Sequence, residues 1–371
     1  MASRPEVKPD QQQLHRVNDY LEFVKKEGIP NITGFAIDDL RTVEVKPWAR
    51  LDCLGAYINL DGNGGTNDSY VAEIPPGGKM APEKHLFEKD IYVLSGRGAT
   101  LVGDDPATRT SFEWKEGSIF SIPLNVWHQH MNGSGSEPAR FMAVTTLPLV
   151  MNLFHNEDFV FNNNFAFTDR LPSVGRFQGE GQLFTGNSGR TNVWETNFVP
   201  DIATFTTFTW KERGAGGSTV SFEFADNTMG SHVSQFPVGT YKKAHRHGPG
   251  AHVIIISGTG YSLLWPDGGK VPQDVIRVDW KRGGMVVPPY NWFHQHFNGG
   301  TEPARYLAFR WGSQKHTFVY DPGEADISVK DGGAQIEYED ESPWIHDTFA
   351  ETLAKAGGTS KMADFIPRLR K

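Results

Sequence analysis

The chain repeats itself, and this limits what it can fold into more than any single motif does. NGSGSEPARFMAV (132–144) returns as NGGTEPARYLAF (298–309), and IPLNVWHQHMN (122–132) returns as VPPYNWFHQHFN (287–298). EKHLFEKDIYVLSGRG (83–98) returns as HRHGPGAHVIIISGTG (245–260). His247 follows His85 by 162 residues, Gly258 follows Gly96 by 162, and His294 follows His128 by 166. A period near 165 is too long for a solenoid, whose units run to about 20–50 residues. It is the length of a domain, and 371 residues are enough for two of them, each with its own core.

Inside each copy the pattern is β. YVAEIPPG, DIYVLSGRGATLVG and RFMAVTT in the first half are short apolar runs punctuated by Gly, Pro and Asn, and so are VSFEFAD, HVIIISGTGYSLLW and RYLAFRW in the second. Forty glycines, 23 prolines and 12% aromatic residues suit many short strands joined by tight turns. Two stretches outside the repeat read as helices: QQQLHRVNDYLEFVKKEG (11–28) and WIHDTFAETLAKAGG (344–358), the latter ending at a Gly pair suited to a C-cap. The segment 147–215 reads as a long connection that also carries the first strands of the second unit, with FNNNFAF as a polar loop holding aromatic anchors. The expected organisation is a helical leader over 1–45, an N-terminal barrel over 46–150, a linker and strand-swap region over 151–212, a C-terminal barrel over 213–320, and a helical tail over 321–371.

Charge excludes several functions. Lys and Arg number 36 against 44 Asp and Glu, a net charge of -8 with no long basic block, so a nucleic-acid partner is not expected. No stretch of about 18 apolar residues occurs, and the N-terminus shows no apolar leader, so no membrane or secretory role is expected. The single cysteine, Cys53, cannot build an intrachain disulfide framework. The expected setting is cytoplasmic.

The chemistry lies in the histidines. His245 and His247 alternate at i and i+2 and so share one face of a strand, and His294 arrives from a strand far along the chain. Each half can be read as Gly, five residues, His-x-His, four residues, an acid, then a strand ending in Gly. A second box follows as Gly, five residues, Pro-x-Gly-x-x-His-x-x-x-Asn. The C-terminal half supplies Gly239, His245, His247, His252 at the acid position and Gly258, then Gly283, Pro289, Asn291 in place of Gly, His294 and Asn298. The N-terminal half supplies Gly77, Glu83 where the first His belongs, His85, Asp90 at the acid position and Gly96, then Gly117, Pro123, Asn125, His128 and Asn132.

These boxes resemble the two motifs of the cupin superfamily, over roughly 70–150 and 215–315, and the chain is similar to a bicupin. The resemblance implies an all-β fold of two tandem double-stranded β-helix (jelly-roll) barrels, each able to hold a metal inside. The missing glutamate ligand and the string WFHQHFN are similar to the gentisate, 1-hydroxy-2-naphthoate and salicylate group of ring-cleaving dioxygenases, which bind Fe(II) through three histidines. The implied cofactor is one divalent metal per chain, Fe(II) first, with Mn(II), Ni(II), Cu(II) or Zn(II) as alternatives.

His245, His247 and His294 are therefore the expected ligands. His252 is expected either as a fourth ligand or as a general acid or base. Three imidazoles leave the site at +2 and favour an anionic, chelating small-molecule substrate, with octahedral positions left over for O2. His296 is expected beside the ligands, as catalytic group or barrel filler, with Gln295 or His296 bonding a ligand's second nitrogen. Asn298 shares the His294 face, while Arg246 points away. Arg310, Trp265, Trp292 and Trp311 either line the substrate pocket or fill the core. Glu83, His85, Asp90 and His128 form a weaker candidate metal set in a degenerate first barrel, with Glu88 facing outward. Three functions fit: an Fe(II) dioxygenase on a hydroxylated aromatic or other chelating acid; a non-redox metal enzyme such as an isomerase, decarboxylase or aminohydrolase; and a non-catalytic binding bicupin. A homo-oligomer is expected.

Overall fold

A computed structural model describes residues 16–170, 174–187, 189, 191–248, 250–316 and 326–370. The apolar runs of the two copies become strands at equivalent places: Cys53–Ile58, Asp68–Ile74, Lys89–Ser95 and Ala139–Thr145 in the first, Ser218–Phe224, Met229–Phe236, His252–Ser257 and Ala304–Trp311 in the second. Register confirms the repeat residue by residue. Asp90 pairs with Val144, and His252 pairs with Phe309. Each barrel has a large sheet and a smaller one facing it. His128–Asn132 runs between Arg97–Val102 and the rest of the first barrel, and Phe293–Asn298 pairs with Thr259–Trp265 in the second. Glycines mark the turn after the leading strand of each copy: Gly96 and Gly258 have φ of 78° and 83°, and a Cβ there would strike Ala139 or Ala304.

The barrels exchange strands. Ala36–Ile37, from the expected helical leader, pairs with Val286 and Met285 of the second barrel, while Phe198–Val199 of the connecting segment pairs with Phe120 and Ile119 of the first. Boundaries at 45/46 and 212/213 therefore do not separate two self-contained units. A shared apolar core joins the outer faces, with Leu40, Ile58, Val71 and Met142 packed among residues that include Val220, Phe222, Leu307 and Phe309. Two polar anchors add to it. The Glu88 carboxylate, expected to face outward, is buried and accepts the backbone N–H groups of Thr228 and Met229, each at 2.8 Å. Asn67 Nδ2 donates to Gly250 O at 2.8 Å.

The described part of the leader is helical over Asp19–Glu27, capped by Asn18 and ended by Gly28 in the left-handed region. The connecting segment also forms two helices that periodicity did not mark, Leu147–Phe154 and Glu157–Phe161. The tail forms a helix over Pro343–Lys355 that buries Ile345, Phe349 and Leu353 against Tyr241, Tyr261 and Phe297 of the second barrel. Ahead of it, Gln335–Ile336 pairs with Ala244–His245, so the tail is part of the barrel wall. Among the described residues no helix is long and apolar enough to cross a membrane.

Candidate metal centre

His245 ends the two-residue strand Ala244–His245 and pairs directly with His294 across the small sheet. His247 lies just beyond that strand. The rings lie close together, with centroids 4.2 Å apart for His245–His294 and 4.6 Å for His247–His294. One nitrogen from each falls within 4.8 Å of the others. His294 Nδ1 faces Trp292 O at 3.2 Å and His247 Nδ1 faces Gly248 O at 2.8 Å. A carbonyl can only accept, so each Nδ1 carries the hydrogen and each Nε2 presents a lone pair. Burial pushes His245 and His294 well below the ordinary histidine range, with Arg213 and the neighbouring imidazoles adding to the effect. His245 Nδ1 is buried without a hydrogen-bond partner. Three converging imidazoles, with His245 and His294 held neutral by burial, suit a borderline divalent ion.

The structure does not bring His252 to this group. Its neighbours Ala251 and Val253 line the cavity beside the three histidines, so strand alternation turns His252 to the opposite face. There its Nδ1 meets Gly250 O at 3.0 Å, and burial holds the imidazole down at about 4. It is neither a fourth ligand nor a group facing the cavity. The position that does face inward is one residue earlier, at Ala251.

His296 does line the cavity. Its Nδ1 lies 2.8 Å from Ser262 Oγ, which also accepts the Trp280 indole N–H at 3.0 Å. With that N–H on one lone pair, the serine hydroxyl is free to donate to Nδ1, leaving the hydrogen of His296 on Nε2. Burial holds His296 neutral, near 3. Gln295 faces the other way and donates to Lys242 O at 2.8 Å, so it bonds no ligating histidine. Asn298 Nδ2 donates to Pro237 O and Glu302 O, as Asn132 Nδ2 does to Pro75 O and Glu137 O; both asparagines fasten turns. Arg246 pairs with Asp267 outside.

Of the residues expected in the substrate pocket, Arg310 lines it; Trp265, Trp292 and Trp311 do not. Trp265 stacks on Phe293 in the core, and Trp292 packs on Phe35. The cavity measures about 230 Å³, room for one small organic molecule. Its wall also holds residues that sequence reasoning missed, among them Trp210, Arg213, His232 and Tyr306. The repeat held a signal for two of them. His232 pairs with Ala308 as Tyr70 pairs with Ala143, and Tyr306 stands where the first barrel has Phe141, so polar groups replace aromatic filler in the second barrel alone. Arg213 lies with its guanidinium 4.8 Å from the Trp210 ring.

The first barrel brings Glu83, His85 and His128 together, again within 4.8 Å of one another, but not Asp90. Asp90 shares the register of His252 and is likewise turned away; burial raises its carboxyl well above the usual range. The inward position here is Lys89, whose fully buried ammonium donates to Glu83 Oε1 and lies 2.7 Å from His128 Nε2. The rest of this interior is filled, with Phe141 packed against Tyr70 and His130.

The chain is similar to several known proteins. The family model described as Cupin domain matches residues 70–145. A 62-residue stretch, 17% of this chain and 15% of its relative, is 32% identical to 5-aminosalicylate 1,2-dioxygenase from Comamonas sp. The chain thus spans a small part of the length of the curated relative it matches. Among solved structures, oxalate decarboxylase from Bacillus subtilis is similar over 82% of this chain and 86% of its own at 13% identity and a TM-score of 0.46. Vicilin from hazelnut, Corylus avellana, is similar over 75% and 85% at 10% identity, also with a TM-score of 0.46. Residues 70–145 match a cupin domain, and a second copy of the same strand order with the same two motif boxes follows in the C-terminal half, so the chain has the architecture of a bicupin.

Proposed function

We propose that the protein is a metal-dependent enzyme acting on a small chelating organic anion in its C-terminal barrel, and that its reaction is an Fe(II)-dependent dioxygenation of a hydroxylated aromatic or similar acid. The observation that carries this reading is the donor set: three imidazoles converge with no carboxylate among them, in a cavity whose wall holds Arg213 and Arg310 against one acid, Asp326. A divalent ion held there would keep its full charge and, as Fe(II), would supply the binding and activation of O2 beside the substrate. With His252 turned away and Ala251 beside the histidines, no fourth side chain of that strand competes for the ion. The arginines orient a carboxylate through charge-assisted hydrogen bonds. His296 offers an Nε2–H as a neutral donor toward the same space. The short likeness to an aminosalicylate dioxygenase supports the same substrate class.

A second reading rests on a different feature. Lys242 is buried and donates to Tyr306 OH at 3.0 Å; burial raises the phenol, but the ammonium outweighs it and holds Tyr306 below its ordinary range. A phenol so placed in the cavity wall serves proton transfer, as a decarboxylase or isomerase requires. Oxygen uptake separates the readings. Protein purified without air and loaded with Fe(II) is expected to consume one O2 per hydroxybenzoate-type substrate turned over. Turnover of an organic acid without oxygen uptake would transfer the assignment to the non-redox class.

A further inference from the structure

The first barrel keeps the shape of a metal site and fills it with its own cation. His128 Nδ1 faces Val126 O at 2.9 Å and His85 Nδ1 faces Phe87 O at 2.8 Å, so both present Nε2 lone pairs inward, as the ligating histidines of the second barrel do. Glu83 Oε1 lies 3.3 Å from His128 Nε2. Three lone-pair donors thus face one centre in a fully buried space, where a carboxylate with no countercharge is costly. Lys89 Nζ supplies the charge. It donates to Glu83 and to His128, on the lone pairs that a metal ion would take. His85 Nε2 is reached by neither and remains buried without a partner. That orphaned nitrogen is what an ammonium reaching two donors leaves behind, and what an ion bonding all three would satisfy.

The second barrel shows the alternative. Lys89 comes directly before Asp90 and Ala251 directly before His252, and Asp90 and His252 occupy equivalent places in the ladder. Where the second barrel has a methyl group beside an open three-histidine site, the first has a lysine closing a Glu-His-His site.

We propose that Lys89 is a built-in substitute for a metal ion, which keeps the N-terminal barrel metal-free, and that replacing it with alanine opens a divalent-metal site formed by Glu83, His85 and His128. Each Glu-His-His set with a divalent ion would carry one positive charge, against none for the lysine-filled set, so a first-row metal is the class of ligand expected.

Co(II) tests this in the full chain, read as equilibrium stoichiometry and as visible absorption of the bound ion. Wild-type protein is expected to bind one Co(II), and His294→Ala none. Lys89→Ala combined with His294→Ala is expected to bind one, and adding His128→Ala is expected to abolish it. Lys89→Met, which retains most of the stem volume, is carried in parallel in case the smaller side chain leaves the barrel unfolded. Two results would overturn the proposal: a Co(II) in His294→Ala that disappears with His85→Ala, or a folded Lys89→Ala/His294→Ala protein that binds none. If neither lysine variant folds, the His294→Ala arm still decides, since Co(II) at the first barrel contradicts the substitution by Lys89 and its absence agrees with it.

Discussion

A single step along a strand separates a ligand position from a structural one in this protein. His252 and Ala251 are adjacent, yet one faces the outer packing layer and the other the cavity. His252→Asn is therefore expected to leave metal content at its wild-type value, whereas His294→Ala removes the C-terminal ion; elemental analysis of the two variants checks this. His252 has a second consequence. Its folded value near 4 lies below the ordinary 6.5 of an unfolded histidine, so the unfolded chain binds more protons between those values. The stability it contributes is complete above about pH 6.5 and is lost as the pH falls toward about 4, on the order of 3 kcal/mol in full. Urea denaturation of wild type and His252→Phe across that window is expected to show a shallower acid slope for the variant. At the cavity wall, Arg310→Ala is expected to raise KM about 10- to 100-fold with a smaller change in kcat, through loss of a charge-assisted contact to the substrate anion.

Among the elements, the repeated EPAR string carries no chemistry; it fastens the strand exchange. Arg140 Nη1 donates to Leu40 O and Val43 O, just beyond the strand that the N-terminal segment lends to the second barrel. Arg305 is its counterpart, donating to Ile202 O, Ala203 O and Phe205 O beyond the strand lent to the first. Both are buried, so truncation removes a partner from the carbonyls of the buried residues Leu40, Val43 and Ile202. Arg305→Ala is expected to lower unfolding free energy by about 3 kcal/mol, measured by urea titration. The loop that carries His247 is tied across the barrel interface as well. Gly250 N donates to Gly62 O at 2.8 Å and Gly250 O accepts from Asn67, and a Cβ on Gly62 would come within 2.2 Å of Val287 O. Asn67→Ala is expected to weaken metal affinity without touching a ligand, because the loop loses one of its tethers across the interface; competition with a chelator measures the change.

On the scale of the molecule, two barrels that resemble independent domains are interlocked. Each lends the other a strand, and the apolar layer between them belongs to both. Thermal unfolding followed by tryptophan fluorescence and by far-UV circular dichroism is expected to give one coincident transition. Two separated transitions would mean that the shared layer contributes little. Function is divided unequally between the barrels. The second barrel keeps a cavity because His232 and Tyr306 stand where Tyr70 and Phe141 help to fill the first.

Much of this was legible in the sequence because a duplication supplies its own alignment. The repeat and its offset point to two barrels, and His-x-His followed far along by His294 points to three imidazoles at one centre, since alternation places i and i+2 on one face whatever else the chain does. The sequence by itself thus determined the fold class, the number of barrels and which barrel holds the histidine triad. Other features were decided only in three dimensions. His252 lost its expected place because the phase of alternation is set by which residue of the strand enters the ladder, and Gln295, Trp265, Trp292 and Trp311 likewise do not line the cavity. Lys89 reads as an ordinary charged residue in EKHLFEKD until folding carries its ammonium between Glu83 and His128. The exchanged strands at 36–37 and 198–199 are too short to show a period, and their pairing depends on partners more than 70 residues away. Local pattern fixes which faces are apolar; only long-range packing decides which polar groups those faces enclose.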